Sequence, residues 1–272
     1  MPSLNEITVS QLSRLIGTHD SPVIIDLRVD KDFDLNPKVI PSARRHSFEN
    51  LDSLATQLRA SRAVVYCNEG KKISQGACAV LHNHGIKAEY LVGGHVAWSD
   101  ARHPLVPYVK IPTTQNKNHS VWVTRHRPKI DRIACPWLIR RFIDPNAEFL
   151  FVTPNSIMDI AELYEATPFD IEDVFWSHRG TRCTFDIMIE EFELNTEPLL
   201  QLATIVRGAD TDQLALAPQS AGLLAASLGL SRMYRDDLEQ LDAGLLLYDA
   251  FYRWARDATD EGHDWPLSKT GH

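Results

Sequence analysis

The 272-residue sequence predicts an α/β domain built on a parallel sheet, followed by an α-rich (α+β) second domain. Three observations lead there. Through residues 5–100, short β-branched apolar runs alternate with helical patterns, as in a parallel sheet with crossover helices. Between Pro104 and Ser120 the composition turns polar and proline-punctuated, as in a linker. Beyond that stretch, apolar residues recur mainly at helical spacing. The expected division is a first domain over 1–106, a linker over 107–120 and a second domain over 121–272.

The elements follow in order. Residues 9–16 read as a helix behind a Thr8 cap, and Val23-Ile24-Ile25 as a buried strand. A helix over 51–58 precedes the strand Ala63-Val64-Val65-Tyr66. A helix over 75–84 stops at Asn83-His84-Gly85, and Glu89-Tyr90-Leu91-Val92 is a further strand closed by Gly93-Gly94. In the second part, strands are expected over 121–124, 148–152 and 174–177. Helices are expected over 131–143, 183–194, 198–207, 219–228 and 232–258.

Hydrophobic residues make up 44% of the chain and charged residues 24%, enough to bury a sizeable core. A formal charge of −8 argues against nucleic acid or an anionic membrane as a chain-wide partner. Neither a signal-peptide pattern nor a membrane-length apolar run is visible. Cys67, Cys78, Cys135 and Cys183 are widely spaced and form no CxxC pair, so reduced thiols and a cytoplasmic location are expected. The oligomeric state is left open.

Cys67 follows a buried strand and precedes a helix, in Cys67-Asn68-Glu69-Gly70-Lys71-Lys72-Ile73. Ligands of open α/β sheets bind at the carboxyl ends of strands. There, converging loop amides and a helix N-terminus favour negative charge on sulfur, the nucleophilic form. Lys71 and Lys72 add positive charge where an anion would approach. A small buried hydrophobe is the plainer alternative for Cys67, and it is the preferred one for Cys78.

These segments resemble a single-domain rhodanese: Val23-Ile24-Ile25-Asp26-Leu27-Arg28, Ile40-Pro41-Ser42-Ala43, Tyr66-Cys67-x-x-Gly70 and Leu91-x-Gly93-Gly94-x-x-x-Trp98, in that order. The resemblance implies a sulfurtransferase. Cys67 would take sulfane sulfur from a small anionic donor as a persulfide and pass it to a thiol or cyanide. Amides from Asn68, Glu69, Gly70, Lys71, Lys72 and Ile73 would cradle it, and no cofactor is required. Many rhodaneses carry an arginine late in this loop where lysines stand here, which bears on donor preference. Asp26 and Arg28 are read as a structural ion pair.

The second part concentrates basic residues at Arg125, Arg127, Lys129, Arg132, Arg140 and Arg141. Arginines beside a helix start suit a tetrahedral oxyanion, and Arg125, Arg132, Cys135 and His178 are the candidates for such a site. Solvated arginines that bridge an acidic surface are the equal alternative. A helix beginning at Cys183 would lower that thiol's pKa. The carboxylates of Asp210, Asp212, Asp236 and Asp237 could join His178, and whether a metal is bound is open. The segments 122–145, 177–186, 205–211 and 229–254 resemble the chromate-resistance protein domain, which implies a link to chromate or oxidative stress and no assigned reaction. An oxyanion-responsive sensor or regulator, in which the rhodanese fold only binds, is the alternative to the enzyme.

Overall fold

The computed structural model describes residues 5–58, 62–114 and 117–262. Gln115 and Asn116 of the expected linker, and the last ten residues of the expected second domain, lie outside the described residues.

The first part runs β1 (Glu6–Ile7), α1 (Val9–Leu15), β2 (Val23–Asp26), α2 (Asp30–Leu35), β3 (Lys38–Val39), β4 (Arg44–Arg45), α3 (Leu51–Gln57), β5 (Arg62–Tyr66), α4 (Lys72–Asn83), β6 (Lys87–Leu91), α5 (Gly94–Asp100) and β7 (Val106–Pro107). Five strands pair in the order β1-β6-β5-β2-β4, all parallel. The runs Ile24-Ile25 and Ala63–Tyr66 are buried, as strands covered on both faces must be. Thr8 caps α1 through a reciprocal pair with Gln11, with N–H to oxygen distances of 3.2 and 2.9 Å. Strands β1 and β4 were not expected, because two residues are too short to show a period.

The second part runs β8 (Val121–Arg125), α6 (Asp131–Leu138), β9 (Glu148–Val152), α7 (Ile157–Leu163), β10 (Thr167–Pro168), α8 (Thr184–Glu191), α9 (Glu197–Asp210), α10 (Gln219–Met233) and α11 (Asp237–Asp257). Its small sheet is also parallel, with β8 between β10 and β9. Helix α6 passes into a π-helical turn over Ile139–Ile143, so the expected 131–143 helix is present with a widened end.

Two expectations are corrected, and one further element was not foreseen. Residues 174–177 form no strand among the described residues; Trp176 makes a single bridge to Phe169, and the third strand is β10. The helix expected from 232 starts at Asp237, because Asp236 accepts from the amides of Leu238 (2.9 Å) and Glu239 (3.0 Å) and so caps it. Helix α7 was not expected.

The two parts share apolar packing. Ile7, Leu12, Tyr66 and Trp98 belong to one buried cluster with Trp122, Trp137, Phe142 and Tyr252. The segment expected to be a linker is also tied down. Val106 pairs with Val39, Tyr108 meets Phe33 edge-on at 5.3 Å, and Lys110 bonds Glu191 at 2.6 Å. Gly17 has φ +79, and a β-carbon there would overlap the edge of the Phe142 ring and lie 2.8 Å from Tyr252. Gly17→Ala is therefore expected to cost about 2–4 kcal/mol from left-handed strain and overpacking, read as a lower urea midpoint. An unchanged midpoint would show that the two parts do not meet there.

Candidate functional site

Two clusters of chemistry-bearing residues lie at the carboxyl ends of parallel strands, where open α/β sheets place their ligands. The first is the Cys67 loop. Cys67 directly follows the central strand β5, and α4 begins five residues later. The thiol is nearly buried, at 5% exposure, and its sulfur lies 3.3 Å from the Ser74 hydroxyl, which also contacts the Lys71 carbonyl at 3.2 Å.

The loop is shaped by the start of α5. The amides of His95 and Val96 donate to the carbonyls of Cys67 and Asn68, each at 3.0 Å. The carbonyls therefore turn toward α5. Among the described residues, none of the amide N–H groups from Asn68 to Ser74 has a hydrogen-bond acceptor. Successive loop amides without acceptors, next to a thiol at a strand end, are the raw material of an anion cradle. Two glycines permit the close approach. A β-carbon on Gly70 (φ +66) would lie 2.7 Å from the amide nitrogens of Gly93 and Gly94, and one on Gly94 (φ +58) would lie 2.8 Å from the Asn68 oxygen.

The loop lysines differ from each other. Lys71 pairs with Glu69 at 2.7 Å, both exposed, while Lys72 opens α4. Ile73 packs on the core beneath α4. Asp26 and Arg28 form a wholly buried pair at 2.6 Å, and Arg28 also donates to the carbonyls of Asn36 (3.0 Å) and Lys38 (2.7 Å). That pair is structural, as expected from its place at a strand end. His95 was not singled out by the sequence. Burial, with Arg28 beside it, pushes its pKa down to about 4, so this ring is neutral.

The second cluster centres on His178. Its Nε2 lies 3.5 Å from Asp131, 3.5 Å from Asp170 and 3.3 Å from Asp210. Each residue arrives from a different place. Asp131 opens α6, Asp170 follows β10, His178 lies in the loop before α8, and Asp210 ends α9. Asp131 is wholly buried and accepts from the amides of Thr184 (2.5 Å) and Phe185 (3.3 Å) at the start of α8. Thr184 also donates its hydroxyl to Asp170 at 2.9 Å. Two of these positions have left-handed backbone, Ile130 (φ 44) just before Asp131, and Asp170 itself (φ 53). A β-branched residue in that region is strained, and such strain gathers at functional sites.

The four residues expected around an oxyanion are divided by the structure. Arg132 and Arg125 meet Asp170 at 3.3 and 3.6 Å, and His178 meets the same carboxylate. Cys135 is turned into the core, fully buried, and burial followed by the Asp131 charge pushes its thiol pKa up. The surroundings are carboxylates, which repel an oxyanion and attract a cation. Of the carboxylates considered with His178, only Asp210 joins it; Asp236 caps α11 and Asp237 accepts from the Arg127 amide at 3.0 Å. Asp131 and Asp170 were missed as partners.

The expectation for Cys183 is reversed. Burial, then Asp131 and Asp186, pushes its pKa strongly upward, so desolvation outweighs the helix start. Burial likewise raises the pKa of Asp131. The carboxylates, Asp131 first and then Asp170 and Asp210, push that of His178 far above its ordinary range. Since the folded value is raised, the stability drawn from this imidazolium is complete below about pH 6.5 and falls as pH climbs toward the folded value. In chelator-treated protein the ring is expected to stay protonated at about pH 8, where a free imidazole is neutral, as read by nitrogen NMR. A neutral ring at that pH would contradict the pairing.

Comparison with known proteins agrees with the two-part architecture. The rhodanese-like domain family matches residues 8–101, and the C-terminal domain of ChrB matches residues 122–255. Protein ChrB of Cupriavidus metallidurans is 31% identical over 132 residues, which span 48% of this chain and 39% of that protein. The chain thus matches well under half the length of that curated relative. A rhodanese-related protein from Thermoplasma volcanium is similar over 38% of this chain and 97% of its own, with 21% identity and a TM-score of 0.33. A rhodanese-like domain protein from Staphylococcus aureus is similar over 35% and 90%, with 24% identity and a TM-score of 0.31. The chain consists of a rhodanese-like domain followed by a ChrB C-terminal domain.

Proposed function

We propose that the first domain is a sulfurtransferase that carries sulfane sulfur as a persulfide on Cys67. The single observation behind this reading is the set of uncommitted amides from Asn68 to Ser74 in the loop that follows a strand-end thiol. A thiol that served only as core filling would need neither the amides nor the glycine contact that aims them.

The chemistry balances with two displacements. The Cys67 thiolate attacks the terminal sulfur of a thiosulfate or persulfide donor. The donor's S–S bond breaks, and sulfite or a thiolate leaves with the electron pair. The new Cys67 persulfide keeps its anionic outer sulfur within the amide cradle. An acceptor thiolate or cyanide then attacks that outer sulfur, and Cys67 leaves as the thiolate. Its slight exposure admits the end of a small donor and excludes a bulky one. The likeness to ChrB supports reading this transfer alongside chromate or oxidant stress, since chromate consumes thiols.

A second reading, an oxyanion-responsive regulator whose rhodanese fold only binds, draws on one observation. Lys71 is paired with Glu69, which leaves the loop with less positive charge for drawing in a donor.

Sulfur transfer from thiosulfate and from a persulfide donor to cyanide or glutathione separates the two. Wild-type turnover that disappears in Cys67→Ser is expected. Ser74→Ala is expected to lower kcat/KM by roughly twofold to tenfold, the worth of one hydrogen bond to the sulfur. Folded wild type that turns over no donor would favour the regulator.

A further inference from the structure

We propose that His178, Asp131 and Asp170 bind one divalent first-row transition-metal ion beside Asp210, with manganese(II) and zinc(II) as the ions that fit the donors. The site is independent of the Cys67 reaction. It takes its argument from the geometry around the imidazole.

A hydrogen bond from nitrogen to oxygen spans about 2.7–3.2 Å and points at one acceptor. His178 Nε2 instead stands 3.3–3.5 Å from three carboxylates at once. One N–H cannot serve three acceptors at that distance. Ligands that share an ion at bonds of about 2.1 Å lie about 3–4.2 Å apart, and each carboxylate oxygen stands 3.3–3.5 Å from Nε2. Asp131, Asp170 and His178 each offer a ligand atom within 4.8 Å of the others.

A second observation points the same way. Asp131 is wholly buried, yet its Oδ1 has no hydrogen-bond partner among the described residues. An uncompensated carboxylate oxygen is costly at such depth, and a cation removes the cost. Its other oxygen faces His178 and is fixed by the Thr184 and Phe185 amides, while Thr184 also orients Asp170. Such outer contacts hold ligands in place for an ion. Access comes from one side, since His178 is 41% exposed and shares a cleft of about 520 Å³ with Arg125, Asp170 and Ser177. Oxygen donors with a single imidazole suit manganese(II) and zinc(II) better than softer ions. The ion takes the position of the Nε2 proton.

The test uses the full chain, stripped with chelator and titrated with manganese(II) or zinc(II). Calorimetry gives stoichiometry, and the resonance signal of free manganese reports its capture. One ion per chain is expected, with affinity at least tenfold weaker in both His178→Ala and Asp170→Asn. His178 is partly exposed, so its substitution leaves the core intact, and circular dichroism checks that both variants fold. Binding of neither ion by folded wild type overturns the proposal. Wild-type affinity in either folded variant also overturns it, since the ion would then sit elsewhere.

Discussion

Phe142 lies where the two parts of the chain meet, and much of the rest depends on how it is held. Its carbonyl accepts from the Ser42 amide at 2.5 Å, and its ring fills the space that a β-carbon on Gly17 would need. On its other side it packs against Trp137 (5.7 Å between centroids) and Tyr252 (5.6 Å). Trp137 continues α6, the helix that Asp131 opens, and its indole donates to Asp249 at 2.8 Å. Asp249 in turn receives Arg141 at 2.7 and 2.8 Å. The apolar contact therefore fixes the axis of α6, and with it the buried carboxylate beneath His178. Burial of large aromatic side chains contributes most per residue in such a core.

A single topological rule accounts for the placement of both clusters. Parallel strands end together, and the loops after them meet helix N-termini whose amides lack partners. In the first domain those amides have no acceptor among the described residues. In the second, two of them are taken by Asp131. The same local geometry thus leaves amides open beside a thiol at one edge and gathers carboxylates around an imidazole at the other. The difference lies in whether the sequence supplies a carboxylate from across the fold.

That difference explains what could be read in advance. The Cys67 loop is contiguous, and its glycines lie within a short span, so strand, nucleophile and helix start were visible in order. Its closing partner Gly94 was visible as a motif, though the contact with Gly70 was not. The His178 cluster draws residues 131, 170, 178 and 210 from separate elements, and no local pattern ties them together. The dense arginines drew attention toward an anion because charge counted along the chain ignores pairing in space. In the fold, Arg127 donates to the carbonyls of Tyr234 and Ser231, Arg140 meets Asp242 and Arg141 meets Asp249. Cys183 was misjudged because the helix start was weighed without the burial that overrides it. Residues 174–177 have the apolar content of a strand, yet among the described residues only Trp176 of these makes a β-bridge.

The central claim is that Cys67 is the sulfur carrier, and intact-protein mass spectrometry after exposure to thiosulfate or a persulfide donor tests it most directly. The account predicts one added sulfur atom, located on the peptide that contains Cys67, with none on the buried Cys78, Cys135 or Cys183. No added sulfur on folded wild type, or an added sulfur that persists in Cys67→Ser, would contradict it.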